Sequence, residues 1–202
     1  MKPEQISTLQ QKVVQLTNEV QATLLDRQTL FQGHFINVLE ERYLLPNHHQ
    51  IKREKIVKNH GKNAVLIVAL TKEYKYLLVS QNRIHQITSI EFPAGYIESG
   101  ETAVTAAIRE LQEETGYVAE QIHILDQYYP ALSIDASMIT IIFAKGCVKT
   151  TEQNLGAEEY IKYQEFSEAE VAWLIDHKKI LGGGTKLAFA LIQLLLKKDN
   201  QK

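Results

Sequence analysis

The chain has one cysteine among 202 residues, Cys147, so no internal disulfide can form. Lys145 and Lys149 flank it, but no histidine or acid is close in sequence, and a strand cysteine is the expected reading over a catalytic thiol. Long apolar runs are also missing. The longest, residues 187–196, is about half of what a membrane-crossing helix needs. Residues 1–12 are polar and carry no signal-like apolar segment, so the default expectation is a cytoplasmic protein with no membrane partner. Charge of one sign is lacking too: the formal net charge is −2, which argues against a broad nucleic-acid surface. A nucleotide-sized anion can still bind where a cation and a few arginines neutralise it. The seven histidines show no ligand spacing.

What is present suits one soluble domain with appendages: 45% hydrophobic and 23% charged residues. In residues 1–27, Ile6, Leu9, Val13, Leu16 and Val20 repeat at intervals of 3 and 4, the spacing of an amphipathic helix or short coiled-coil seam. A helix packed on its own domain is the preferred expectation. Residues 31–45 and 50–58 read as two strands around the Pro46-Asn47-His48-His49 turn. Further strands are expected at 63–70, 76–80, 91–95, 122–129, 138–144 and 160–166, and helices at 102–115, from Ser167, and at 185–198 after a Gly182-Gly183-Gly184 break. Strands, helix, strands, helices is the order of an α+β fold, a mixed sheet flanked by helices.

The informative stretch runs from Gly95 through Glu101 to Arg109-Glu110-Leu111-Gln112-Glu113-Glu114-Thr115-Gly116-Tyr117. Glu110 and Glu114 lie one turn apart on one helix face, and Glu113 borders it. Three like charges so close repel, unless a cation sits between them. Mg²⁺ prefers hard oxygen ligands and keeps several waters, which suits such a set. Val104, Ile108 and Leu111 make an apolar stripe beside the acids, and Arg109 is placed to pair with Glu101 or Glu113. Gly95 and Gly100 permit an unusual loop before the helix, and a carbonyl from that loop could turn toward a metal. A solvated acidic helix face competes evenly with this reading on spacing alone.

Gly95, Glu101 and Arg109-Glu110-Leu111-x-Glu113-Glu114-x-Gly116-Tyr117 together resemble the Nudix box at each fixed position, with Tyr117 where an aliphatic residue is usual. Glu91-Phe92-Pro93-Ala94-Gly95, the Gln81-Asn82-Arg83 strand end, Pro130, and Glu152-Gln153 with Glu158-Glu159-Tyr160-Ile161 resemble the ADP-ribose pyrophosphatase branch. The resemblance spans residues 30–195 and implies an α/β/α Nudix fold with a mixed sheet sandwiched between helices. Residues 1–58 would be an N-terminal helix and a dimerising strand region, and 59–202 the hydrolase domain.

The resemblance also implies roles. Glu110 and Glu114 would bind the metal directly, with Glu113 as a further ligand and the Ala94 carbonyl completing the site. Glu113 and Glu114 would share the catalytic work with a loop carboxylate that orients or deprotonates water: Glu159, or Glu158 in its place. The loop departs from the branch pattern in having Ala157 where a second acid is frequent. Arg83 and Glu91 would contact substrate, and Arg53 would reach toward a site from the N-terminal strands, against the plainer reading of a solvated edge-strand charge. Gly95, Glu101, Arg109 and Gly116 would be structural. The implied cofactor is Mg²⁺, with Mn²⁺ as a substitute, and the implied assembly is a homodimer. The implied reaction is hydrolysis of ADP-ribose to AMP and ribose 5-phosphate. GDP- or UDP-sugars are the first alternative substrates, and a non-catalytic nucleotide-sensing Nudix domain is an alternative of another class.

Overall fold

The computed structural model describes residues 3–83 and 86–199, and it divides into two compact units. The first comprises residues 1–60 with 131–136, and the second residues 61–130 with 137–202.

In the first unit, helix α1 spans Pro3–Thr17 and is followed by an antiparallel sheet of β1 (Thr23–Gln32), β2 (Ile36–Leu44) and β3 (Gln50–Lys58), in that order. Two sequence expectations change here. The apolar spacing does form a helix, but it ends at Thr17 and none of its residues is buried, so it is not packed on its own domain. The segment assigned to one strand over 31–45 is two strands, because the chain folds back where the Gly33 N–H donates to the Ile36 carbonyl (2.9 Å). All of β1 is solvent-exposed, and Phe31 and Phe35 are exposed rather than core residues.

The second unit is built on a mixed sheet. Strands β4 (Ala64–Thr71), β5 (Tyr76–Asn82), β6 (Thr88–Glu91), β7 (Ala94–Tyr96), β8 (Tyr117–Val118), β9 (Gln121–Tyr128), β10 (Ile139–Lys149) and β11 (Lys162–Phe166) compose it. Its spine runs β11-β5-β4-β10-β8, with β6 on β5, β7 on β4 and β9 on β10. Only β4 and β10 pair in parallel among these neighbours.

Alternation along β4 divides its side chains between two cores. Val65, Ile67 and Ala69 pack under α2 (Ala103–Thr115) with Ala106, Ala107 and Leu111. Leu66, Val68 and Leu70 pack on the other face with Val171, Leu174, Ala188, Phe189 and Ile192 of α3 (Glu168–Asp176) and α4 (Gly183–Asp199). The sheet is therefore sandwiched between helices, as expected. Helix α4 takes Gly183 and Gly184 into its first turn instead of starting at Thr185.

The strand expected at 91–95 is broken. Pro93 has no N–H to give to a ladder, so pairing to β5 stops at Glu91 and resumes at Ala94 against β4. Fully buried Phe92 anchors the step. This crossing carries residues 94 and 95 beneath α2.

Helix α2 is held at both ends. Thr102 and Thr105 exchange side-chain and backbone hydrogen bonds in a capping box, which contributes about 1 kcal/mol. Gly116 closes it with φ +75°.

Candidate active site

The site is assembled between α2 and the β6–β7 step. Glu114 is buried, and its carboxylate accepts the Ala94 N–H (3.2 Å). Burial pushes its pKa up to about 8, with the Glu110 charge adding to the rise and Glu159 and Glu91 contributing more weakly. Glu110 lies against the bare α-carbon of Gly95; a β-carbon there would overlap its carboxylate. Burial raises its pKa as well, opposed by Arg109 and reinforced by Glu113 and Glu159.

Arg109 organises the acids around it. Its Nε and Nη2 donate to the two oxygens of Glu101 (2.8 and 3.0 Å), and its Nη1 donates to Glu110 (2.8 Å) and Glu113 (2.9 Å). Nη2 also donates to the Tyr96 carbonyl (3.0 Å), so the guanidinium ties β7 to α2. The sequence offered Glu101 or Glu113 as partners; the arginine takes both, and Glu110 too. Glu101 is drawn down to about 2, first by Arg109 and then by the Glu98 backbone N–H.

Arg83 is clasped by Glu91, whose Oε1 accepts from Arg83 Nε (2.9 Å), Arg83 Nη2 and Gln81 Nε2 (3.0 Å). Ser89 donates to the other oxygen (3.4 Å). Arg83 and Glu91 are thus one another's partners, with the guanidinium still half-exposed.

Residues 150–161 form the loop facing α2. Glu159 accepts the Gly156 N–H (2.9 Å), and its charge is felt at both Glu110 and Glu114. Glu158 is exposed. An open groove of about 580 Å³ between α2 and residues 151–154 reaches Arg109 and Glu113. Arg53 belongs to the first unit, where it stacks over the Tyr43 ring at 5.8 Å.

Among the described residues, no three His, Cys, Asp or Glu side chains form a ready-made cage for a metal ion. The ligand atoms available are the Glu110 and Glu114 carboxylates, with the Ala94 N–H beside them donating to Glu114. They are hard oxygens, and among the described residues the buried Glu114 carboxyl, with its raised pKa, has no counter-charge in an ion pair. Such an arrangement fits a cation that keeps waters and takes further oxygens from a ligand.

Sequence reasoning missed several participants. Gln81 and Ser89 hold Glu91, Tyr96 lends a carbonyl to Arg109, and Gln153 donates to the Glu114 and Ile161 carbonyls. The Tyr96 and Gln153 contacts span 13 and 39 residues, beyond any local pattern, whereas Gln81 and Ser89 face one another on the β5–β6 pair that carries Glu91.

Comparison with known proteins shows the family. The NUDIX domain family matches residues 60–182. ADP-ribose pyrophosphatase of Bacillus subtilis (strain 168) is 31% identical over 170 residues, 83% of this chain and 90% of that protein. The methanol dehydrogenase activator of Bacillus methanolicus is 34% identical over 167 residues, 82% of this chain and 89% of that protein. A crystal structure of an ADP compounds hydrolase superposes with a TM-score of 0.79 over 92% of this chain and 100% of its own, at 23% identity, a likeness of fold. With its box acids gathered around Arg109 and its homology extending over most of the chain, this protein belongs to the Nudix hydrolase family.

Proposed function

We propose that the protein hydrolyses the diphosphate bond of ADP-ribose, giving AMP and ribose 5-phosphate, with Mg²⁺ as its cofactor. The observation that carries the reading is the buried, uncompensated Glu114 beside Glu110 and Ala94, a seat for a cation at the centre of the box. The substrate class is supported by the ADP-ribose pyrophosphatase relative, which matches nearly end to end. Nudix hydrolases use divalent metal ions, and Glu110, Glu114 and the Ala94 carbonyl are the groups that would hold one here. A cation held there would supply charge neutralisation at the diphosphate and polarisation of a phosphoryl oxygen.

The chain's own groups do the rest. Arg109 fixes Glu110 and Glu113 so that their carboxylates do not splay apart. Arg83, oriented by Glu91, offers its exposed guanidinium edge to a phosphate or ribose. Glu159 accepts a proton from the attacking water; the new O–P bond forms as the bridging P–O bond breaks, and the bridging oxygen departs on the other monophosphate. Glu158 is the substitute base, and Glu113 lies at the open edge of the site. Residues 1–58 act as a dimerising region, with β1 to β3 as the interface and Arg53 directed to a site. Residues 59–202 form the hydrolase domain.

The test is incubation with ADP-ribose and Mg²⁺ followed by product identification, with GDP- and UDP-sugars in parallel. AMP and ribose 5-phosphate are expected, with loss of most turnover in Glu114→Gln. Preferred cleavage of another nucleoside diphosphate sugar would move the substrate assignment, and no cleavage of any would remove the reading. The 34% match to a methanol dehydrogenase activator favours a second reading, action upon a dehydrogenase. Stimulation of such an enzyme by the wild type and not by Glu114→Gln would join the two.

A further inference from the structure

The C-terminal end of α2 is capped by a segment far along the chain. A helix leaves its last carbonyls without internal partners. Here the Gly116 N–H takes the Gln112 carbonyl, and the Glu113 and Glu114 carbonyls are met from the loop. The Asn154 N–H donates to the Glu113 carbonyl (2.9 Å), and the Thr150 and Thr151 N–H groups both donate to the Gly116 carbonyl (2.9 and 3.1 Å). The approach is close enough that a β-carbon on Gly116 would overlap the Thr151 carbonyl. The Glu114 carbonyl is taken by the Gln153 side chain, whose amide nitrogen also donates to the carbonyl of buried Ile161 (3.2 Å).

We infer that Gln153 is a positioning residue: its amide fastens both ends of the loop that carries Glu159 to the backbone of Glu114. One end of the loop is Gln153 itself and the other is Ile161, so a single NH₂ group closes its base onto the helix. Within the loop, Gly156 and Glu159 exchange two hydrogen bonds, the Glu159 N–H to the Gly156 carbonyl (3.0 Å) and the Gly156 N–H to the Glu159 carboxylate (2.9 Å). The loop acid is thereby a fixed part of a closed turn, and its place relative to Glu110 and Glu114 is set at the base. The chemistry needs an amide of this length. Both acceptors are main-chain carbonyls, so a glutamate would oppose them with lone pairs and a methionine of similar size would offer no donor. This inference rests on the reading of Glu159 as the acid that takes a proton from water.

The test is a double-mutant cycle with Gln153→Met and Glu159→Gln, measuring kcat and KM on ADP-ribose at saturating Mg²⁺, with thermal melts of every variant. Displacing a reacting group by about 1 Å costs on the order of 100-fold in rate. Gln153→Met alone is therefore expected to lower kcat by about 10- to 100-fold with KM within about threefold. In the Glu159→Gln background the same change is expected to cost less than about threefold, since residues acting through one another are not additive. Equal losses in both backgrounds, a loss confined to KM, or full kcat in folded Gln153→Met would overturn the inference. If Gln153→Met lacks a cooperative melt, Gln153→Asn, with both donors one methylene short, replaces it in the same cycle. Full activity of Glu159→Gln would remove the inference and leave diphosphate hydrolysis standing, whereas an inactive wild type would remove both.

Discussion

The carboxylate of Glu110 occupies the space that a side chain on residue 95 would need. Gly95 is required for that absence more than for backbone freedom, since the strand β7 brings it directly beneath α2. Gly95→Ala is expected to push Glu110 out of its place and shift Ala94 with it. Overpacking of this kind costs about 1–3 kcal/mol of stability. The larger effect is on turnover, a loss of about 100-fold, because the displaced group is one the reaction depends on. A melt that barely changes beside unaltered kcat would refute the placement of Glu110 in the site.

Arg109 spends its five donors on Glu101, Glu110, Glu113 and Tyr96. A lysine retains the charge but has neither the fork nor the reach to serve all four. Arg109→Lys is expected to lose about 2 kcal/mol of stability, the scale of charged hydrogen bonds left unmade. Its kcat should fall at least about tenfold as Glu110 and Glu113 lose their common anchor. Chemical denaturation and steady-state kinetics on the same preparation check both effects.

How far the sequence disclosed this structure depended on the range of the interactions. The box was legible because Gly95, Glu101, Arg109, Glu110 and Glu114 lie within a short span and helix periodicity alone stacks the acids. The two-sided burial of β4 was legible in its unbroken apolar run. The β1 strand was not, because all ten of its residues are exposed and no burial alternation marks them. The apolar seam of α1 disclosed a helix and misdirected its packing, since periodicity reports a face and not what covers it. The clamp of Gln153 on Glu114 is a side chain to a main-chain carbonyl 39 residues away, and carbonyls have no sequence signature.

Tyr117 stands where the box usually has an aliphatic residue, and the fold gives it a partner. It is buried, donates to Glu165 (2.6 Å) and meets Tyr163 edge-on at 5.8 Å. Burial, then the hydrogen bond to Glu165, raises its pKa, so the phenol stays protonated and remains a donor. Tyr117→Phe leaves a carboxylate short of that donor and is expected to cost about 1–2 kcal/mol. Tyr117→Leu should cost more, because the ring contact goes as well. Neither touches the groups proposed for catalysis, so kcat should stay within about threefold of wild type. A larger fall with stability preserved would show that this residue acts in the reaction.

In the metal-free protein, Glu114 makes stability depend on pH with a definite sign. Its carboxyl lies at about 8 in the fold against an ordinary value of 4.5. The folded state therefore holds a proton that the unfolded chain has already released, and stability falls as pH rises between those values. The favourable contribution is complete below about 4.5 and gone above about 8, on the order of a few kcal/mol in all. Metal-free wild type should melt lower at pH 9 than at pH 5.5, by more than Glu114→Gln does, since the amide has no proton to lose. Mg²⁺ added at pH 9 should raise the wild-type melting temperature, because a cation against the ionised carboxylate relieves its burial, and should leave Glu114→Gln nearly unmoved. Parallel pH profiles for the two proteins would show that the carboxylate is not held in the buried, uncompensated state on which the metal assignment stands.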